Sequence, residues 1–186
     1  MKKLLLIATL IMSLPTFADE VEESVEQAMD LYKKGQAQQA ITQLEYAAQL
    51  IRQQRGEGLK GFLPAALSGW KAEDAESQTA GAAMFGGGTS VSREYSKGDS
   101  SISISIVTDS PLLQSVMMML SNPMMFQSQG AKLKMIKGQQ VMLNKDGAMA
   151  VVNNTYLVQI DMGSGTEEDV LAYAKEIDYA GIGSYK

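Results

Sequence analysis

The first part of the chain carries an apolar pattern typical of two helices. Apolar residues recur at helical spacing from Val21 to Tyr32, and acidic residues occupy positions between them. Lys33–Gly35 places cations in the last turn and a glycine just beyond it, which indicates a helix end. A second apolar stripe occupies residues 37–51. We therefore predict an antiparallel helical hairpin over residues 19–56.

A different periodicity follows in the middle of the chain. Isoleucine and serine alternate strictly over residues 101–106, which predicts a strand with one apolar face and one polar face. Val91–Tyr95 precedes this strand, and the turn at Lys97–Asp99 joins the two into a β-hairpin. Asp109–Pro111 then predicts a helix start, because a capping residue stands before a proline at the first helical position.

Turn residues divide the next part of the chain into four segments of strand-like composition. A last helix is predicted to begin at Thr166, where Asp169 would complete a capping box, and its buried face would end at Ile177. The four predicted strands are Lys132–Ile136, Gln140–Leu143, Ala148–Val152 and Tyr156–Asp161.

The order of these elements predicts an α+β fold. An N-terminal antiparallel helical hairpin is followed by an antiparallel sheet in the order β-β-α-β-β-β-β-α, with both later helices expected on one face of the sheet. Residues 57–90 would form a junction and a glycine-rich loop, with Trp70 in the core or at a seam. Residues 91–180 would form the α+β sheet domain.

The N-terminus has the three-part layout of a secretory signal peptide over residues 1–18. Lys2 and Lys3 precede an apolar run, Leu4–Leu14, that is too short to span a bilayer. Cleavage is predicted after Ala18. We expect a mature protein in the periplasm of a Gram-negative bacterium, with release into the medium as the alternative, and no membrane span after signal removal.

Composition narrows the chemistry that the mature chain could perform. Removing residues 1–18 leaves 14 Lys and Arg against 21 Asp and Glu, a net charge of −7, which disfavours nucleic acid and anionic lipid. The sequence contains no Cys and no His. Disulfides, zinc sites built from these residues, and catalysis by a Ser-His-Asp or Cys-His pair are thereby excluded. We expect no enzyme activity and no cofactor.

Several segments resemble known families. One set of small and apolar residues in the hairpin resembles a single tetratricopeptide-type helix pair. The order of elements, with a Trp near the start and a closing helix after Tyr156–Ile160, resembles the α/β/α fold of the PsbP-type photosystem subunits and their bacterial relatives. Over residues 58–180 the chain resembles an uncharacterised family of secreted proteobacterial proteins, which implies a fold and no established activity. The tetratricopeptide-like residues are Ala28, Gly35, Ala40, Leu44 and Ala47, and the residues shared with the secreted family are Gly86–Thr89, Arg93–Tyr95, Asp109–Pro111 and Ser121–Pro123.

Methionine is unusually dense between residues 117 and 126. Thioethers suit Cu(I), but methionine also fills irregular cores and lines apolar partner surfaces, so three interpretations stay open. Two Met/Phe segments lie in connections that do not guarantee burial, and we predict that they form a partner-binding patch. The predicted partner-binding residues are Met84, Phe85, Met124, Met125 and Phe126, and the alternative metal ligands are Met117, Met118 and Met119.

These features lead to one hypothesis and two alternatives. The leading hypothesis is a non-enzymatic periplasmic binding or accessory protein that acts through protein–protein contacts, with an unknown protein partner or with a second copy of itself. The helical hairpin and the Met/Phe segments would supply the contact surfaces. The first alternative is a soft-metal module that handles copper through its methionine cluster, and the second is a hydrolase that works without His or Cys.

Overall fold

The computed structural model describes residues 17–78, 88–110, 112–120 and 131–185. The chain divides into two compact units, one up to Ile51 and one from Arg52 onward. The fold is α+β, as the sequence predicts: a helical pair comes first, and an antiparallel sheet with further helices follows.

The first unit is the predicted helical hairpin. Helix α1 spans Phe17–Lys33 and helix α2 begins at Ala37 and ends at Leu59, beyond the unit boundary. Gly35 adopts the left-handed region at φ 78°, which a glycine reaches without steric cost. The backbone N–H of Gln36 donates to the Leu31 carbonyl and that of Gly35 to the Tyr32 carbonyl, both at 3.0 Å. These two bonds form a Schellman cap, which ends α1 and reverses the chain.

Within the described residues, the second unit is built around one antiparallel sheet of eight strands. The strands follow the path β1-β3-β4-β8-β7-β6-β5, and β2 also pairs with β3. The predicted β-hairpin and the predicted meander therefore join into a single sheet, because β8 pairs with β4. The strands are β1 (Lys71–Ala72), β2 (Glu76–Gln78), β3 (Thr89–Lys97), β4 (Ser100–Thr108), β5 (Lys132–Ile136), β6 (Gln139–Asn144), β7 (Gly147–Val152) and β8 (Tyr156–Asp161).

The larger core lies on one face of this sheet. Helix α4 (Glu167–Glu176) and the short helix α5 (Tyr179–Ser184) cover that face, and the isoleucines of β4 point into it. The Tyr173 ring contacts Tyr95 and Trp70, with centroid distances of 4.5 Å and 5.4 Å. Trp70 is buried, which confirms its predicted place in the core. The capping box of Thr166 and Asp169 is also confirmed.

Helix α3 (Leu112–Leu120) lies on the other face of the sheet, so the prediction that both helices cover one face was wrong. Leu113 and Val116 pack on Val107 and Leu157, whose side chains point away from the larger core. The physical reason lies in β4. Its serines occupy alternate positions on this second face, and the next position in that series is the apolar Val107. Because Val107 is apolar, this part of the second face is stabilised when α3 shields it from water.

Short elements also appear where none was predicted. Strands β1 and β2 lie in the segment predicted as loop, and each pairs with β3. Helix α5 has only six residues, too few for a periodic pattern, and begins where the Asp178 carboxylate accepts from the Gly181 N–H. Residues 79–87 of the predicted glycine-rich loop lie outside the described residues.

Tyr95 generates a prediction about stability at alkaline pH. Its side chain is fully buried, its hydroxyl donates to the Pro64 carbonyl at 2.7 Å, and burial raises its pKa to about 12. An unfolded tyrosine titrates near pH ~10. The stabilisation from the neutral phenol is therefore complete below pH ~10 and is lost between pH ~10 and ~12, by up to ~3 kcal/mol.

We expect Tyr95→Phe to lower the free energy of unfolding by ~1–2 kcal/mol at neutral pH, because the hydrogen bond to Pro64 is lost. Above pH ~10 the variant should lose stability less steeply than the parent. Urea unfolding followed by the fluorescence of Trp70, the only tryptophan, measures both effects. Equal slopes in parent and variant would contradict the assignment.

Candidate functional site

The helical hairpin leaves a row of large apolar side chains in solvent. On α1 these residues are spaced by four and three positions, and on α2 by three and seven, so each set lies on one side of its helix. We call the six residues the hairpin face. They are Val25 (37% exposed), Met29 (54%), Tyr32 (72%), Ile41 (48%), Leu44 (50%) and Ile51 (44%).

Part of the hairpin face borders a groove of about 360 Å³ to which both helices contribute. Ala28 and Ala40 are buried and form its floor, while the larger and more exposed side chains form its walls. We call it the hairpin groove. Its lining is entirely apolar in residue type apart from one tyrosine hydroxyl, and consists of Ala28, Met29, Tyr32, Ala37, Ala40, Ile41 and Leu44.

The hairpin groove is open because two helices cannot bury all their apolar positions against each other. Ala28, Ala40 and Ala47 are buried. The predicted apolar stripe of α2 also contains residues that stay exposed, such as Ile41 and Leu44. In proteins built from stacked helix pairs, the remaining apolar side of each pair is covered by a neighbouring pair. The signal in the sequence was therefore the width of the stripes, which include Tyr32, Ile41 and Leu44.

The hairpin that carries the groove is acidic. Between residues 18 and 51 the chain has seven acidic residues against Lys33 and Lys34, a net charge of −5. Asp30 and Lys33 approach to 4.0 Å at the exposed end of α1, and such an exposed pair contributes little. The hairpin therefore carries both an excess of carboxylates and an apolar groove. The acidic residues are Asp19, Glu20, Glu22, Glu23, Glu26, Asp30 and Glu45.

Tyr46 provides an internal comparison for Tyr32. It is also on the hairpin and 42% exposed, but it does not line the hairpin groove. Its hydroxyl donates to the Glu20 carboxylate at 2.6 Å, and this hydrogen bond, with the nearby negative charge, raises the pKa of Tyr46. Tyr46 thus has a hydrogen-bond partner within the hairpin, whereas Tyr32 lines the apolar groove.

The sequence predicts the hairpin as a contact surface but names individual binding residues only outside it. Met84 and Phe85 lie outside the described residues, and so do Met124, Met125 and Phe126. Their assignment to a partner-binding patch stays a prediction. Apart from Met29, the residues of the hairpin face are among the predicted helical apolar positions, but the sequence does not single them out as a site.

The predicted metal ligands are on helix α3. Met118 is 73% exposed and Met117 is half-buried, and successive helical positions diverge by about 100°. The backbone of Met119 belongs to the same helix. Among the described residues, no group of three or more carboxylates could hold a metal ion. A copper site of methionine ligands stays a prediction.

A polar cleft of about 240 Å³ lies beside strands β2 and β3. It is lined mainly by carboxylates and by Arg93, whose guanidinium donates to the Leu63 and Pro64 carbonyls at 3.5 Å and 3.2 Å. Arg93 is thus engaged in holding the segment before β1 on the sheet. The carboxylates of the cleft are Glu73, Asp74, Glu76 and Glu94.

Comparison with known proteins adds no relative. The chain matches no protein-family model, no curated protein and no solved structure. The resemblances to tetratricopeptide pairs, to PsbP-type subunits and to the secreted proteobacterial family therefore stay predictions. Within the part of the chain that the structure describes, no helix is long and apolar enough to cross a membrane.

The exposure of the hairpin face generates a second prediction. Replacing both Tyr32 and Ile41 with serine should lower the fluorescence of a bound apolar dye, because both side chains line the hairpin groove. Helix content and thermal stability should change little, since side chains that are half exposed or more contribute little to folding. Circular dichroism and dye titration measure the two effects.

The matched control is Tyr46→Ser, which removes an exposed tyrosine outside the groove. The dye signal of this variant should remain at the parent level. An equal decrease in the control would mean that the dye reports the hairpin in general and not the groove.

Proposed function

We propose that this protein is a periplasmic binding or accessory protein without enzymatic activity, and that it acts by holding a partner protein in the hairpin groove. The observation that carries the proposal is an apolar groove whose walls are about half exposed in the isolated chain. Apolar surface of this kind on a monomer is typical of partner sites. The predicted signal peptide supports a location outside the cytoplasm.

The partner element that fits the groove best is an amphipathic helix. A helix presents apolar side chains at intervals of three and four, which matches the spacing of Met29 and Tyr32 on the groove wall and of Val25 on the adjoining hairpin face. Covering Tyr32, Ile41 and Leu44, each about half exposed or more, would contribute on the order of 1 kcal/mol apiece. That sum alone supports only weak binding, so charge must add to affinity and selectivity.

Charge specifies which amphipathic helix is preferred. The hairpin carries a net charge of −5 between residues 18 and 51. A partner helix with Lys or Arg beside its apolar stripe would be attracted, and a second acidic hairpin of the same kind would be repelled. We therefore propose a basic amphipathic helix as the occupant.

The residue inventory supports a binding role over a catalytic one. The chain has neither His nor Cys, the residues most used as bases and nucleophiles near neutral pH. The groove itself contributes one hydroxyl, that of Tyr32, and otherwise aliphatic or thioether groups. This lining suits contact with an apolar surface more than chemistry on a bond.

A designed helical peptide tests the proposal directly. The probe carries a leucine stripe flanked by lysines, and a matched probe carries glutamates in place of the lysines. The lysine probe should bind the mature chain more tightly, and the difference should shrink as salt is added, because screening weakens exposed charge pairs. Fluorescence anisotropy of the labelled peptides measures the dissociation constants.

Matched variants assign that binding to the groove. Tyr32→Ser and Ile41→Ser should each weaken the lysine probe by about tenfold, which corresponds to the loss of one buried apolar contact. Tyr46→Ser should leave its affinity unchanged. The proposal fails if neither peptide binds, or if Tyr46→Ser weakens binding as much as Tyr32→Ser.

A further inference from the structure

Strand β5 is the last strand at one end of the described sheet, and it pairs there with β6 alone. The backbone on its outer side is arranged to pair with one more strand. Its first four residues, Lys132 to Met135, are exposed, and only Ile136 is buried. An edge strand this exposed is a potential site of strand addition.

The side chains of β5 alternate between two chemistries. Lys132 and Lys134 lie on one face of the sheet, while Leu133 (38% exposed) and Met135 (68% exposed) lie on the other. Lysines on an edge strand oppose pairing with a second copy of the same strand. Lysines alone would be enough to oppose pairing of two copies. Leu133 and Met135 nevertheless expose apolar surface on the same strand.

The segment of sequence that contains β5 carries charge of a single sign. Residues 110–145 contain four lysines and no acidic residue. None of Lys132, Lys134 and Lys137 forms an ion pair with an acidic residue in the described ranges. These cations are therefore available to an incoming carboxylate.

We propose that β5 accepts, by strand addition, an extended segment of a partner in which acidic and apolar residues alternate. The acidic side chains of this segment lie across from Lys132 and Lys134, and its apolar side chains lie beside Leu133 and Met135. Cross-strand neighbours of opposite charge stabilise a pair of strands, and like charges destabilise it. The site is independent of the hairpin groove, because it uses different residues and takes an extended segment of opposite charge.

The test uses two labelled peptides of about six residues, one alternating glutamate with valine and one alternating lysine with valine. The glutamate peptide should bind the mature chain, and the lysine peptide should bind at least about tenfold more weakly. In nuclear magnetic resonance spectra, the amide signals of residues 132–136 should shift on addition of the glutamate peptide. Signals of β1, at the other end of the sheet path, should stay in place.

A charge reversal with a matched control completes the test. The double variant Lys132→Glu with Lys134→Glu should prefer the lysine peptide. The control, Lys71→Glu with Lys97→Glu, reverses two exposed lysines near the opposite end of the sheet path and should keep the parent preference. Tyr32→Ser should also keep it, so that a failure here is distinguishable from a failure of the hairpin groove.

Two results would overturn the proposal. The first is equal binding of the glutamate and lysine peptides to the parent, or a control variant that loses the preference for the glutamate peptide as the Lys132→Glu, Lys134→Glu variant does. The second is a pair of observations: the glutamate peptide does not bind the parent, and the double variant Lys132→Ser with Lys134→Ser self-associates in gel filtration. The lysines would then only keep the edge strands of two copies apart.

Discussion

One geometric constraint governs the hairpin: two helices cannot cover every apolar position that they carry. Ala28, Ala40 and Ala47 are buried, while Met29, Tyr32, Ile41 and Leu44 stay in solvent. In the second unit the sheet is covered by α4 and α5 on one face and by α3 on the other. Among the described residues, the hairpin has no comparable cover within its own unit, and this deficit supports the proposed binding surface.

The second unit shows what a completed core looks like in the same chain. Tyr95, Tyr173 and Trp70 are buried together, and the Tyr95 hydroxyl finds its acceptor in the Pro64 carbonyl. The Tyr95 hydroxyl is hydrogen-bonded while its ring is removed from water, and this burial stabilises the second unit. The contrast supports the proposal of a contact surface on the hairpin, while β5 is an exposed edge strand within the second unit.

Local signals predicted local structure well. The bounds of Lys132–Ile136 and Tyr156–Asp161 match the structure because turn residues flank both segments, and Thr166 caps its helix as its side chain dictates. The side of the sheet taken by α3 was missed, because it depends on Val107 and Leu157, which are distant in sequence. The hairpin groove was missed as a site for a related reason. Periodicity marks apolar positions, but the number of available neighbours decides which of them stay exposed.

Hydroxyl-radical footprinting of the isolated mature protein tests the central claim most directly, since the rate of side-chain oxidation follows exposure to solvent. Tyr32 should react at a rate close to that of the exposed Tyr46, and both should react much faster than the buried Tyr95 and Tyr173. Met29, 54% exposed, should be oxidised readily as well. A Tyr32 as slow as Tyr95 would show that the hairpin face is already covered and would contradict the account.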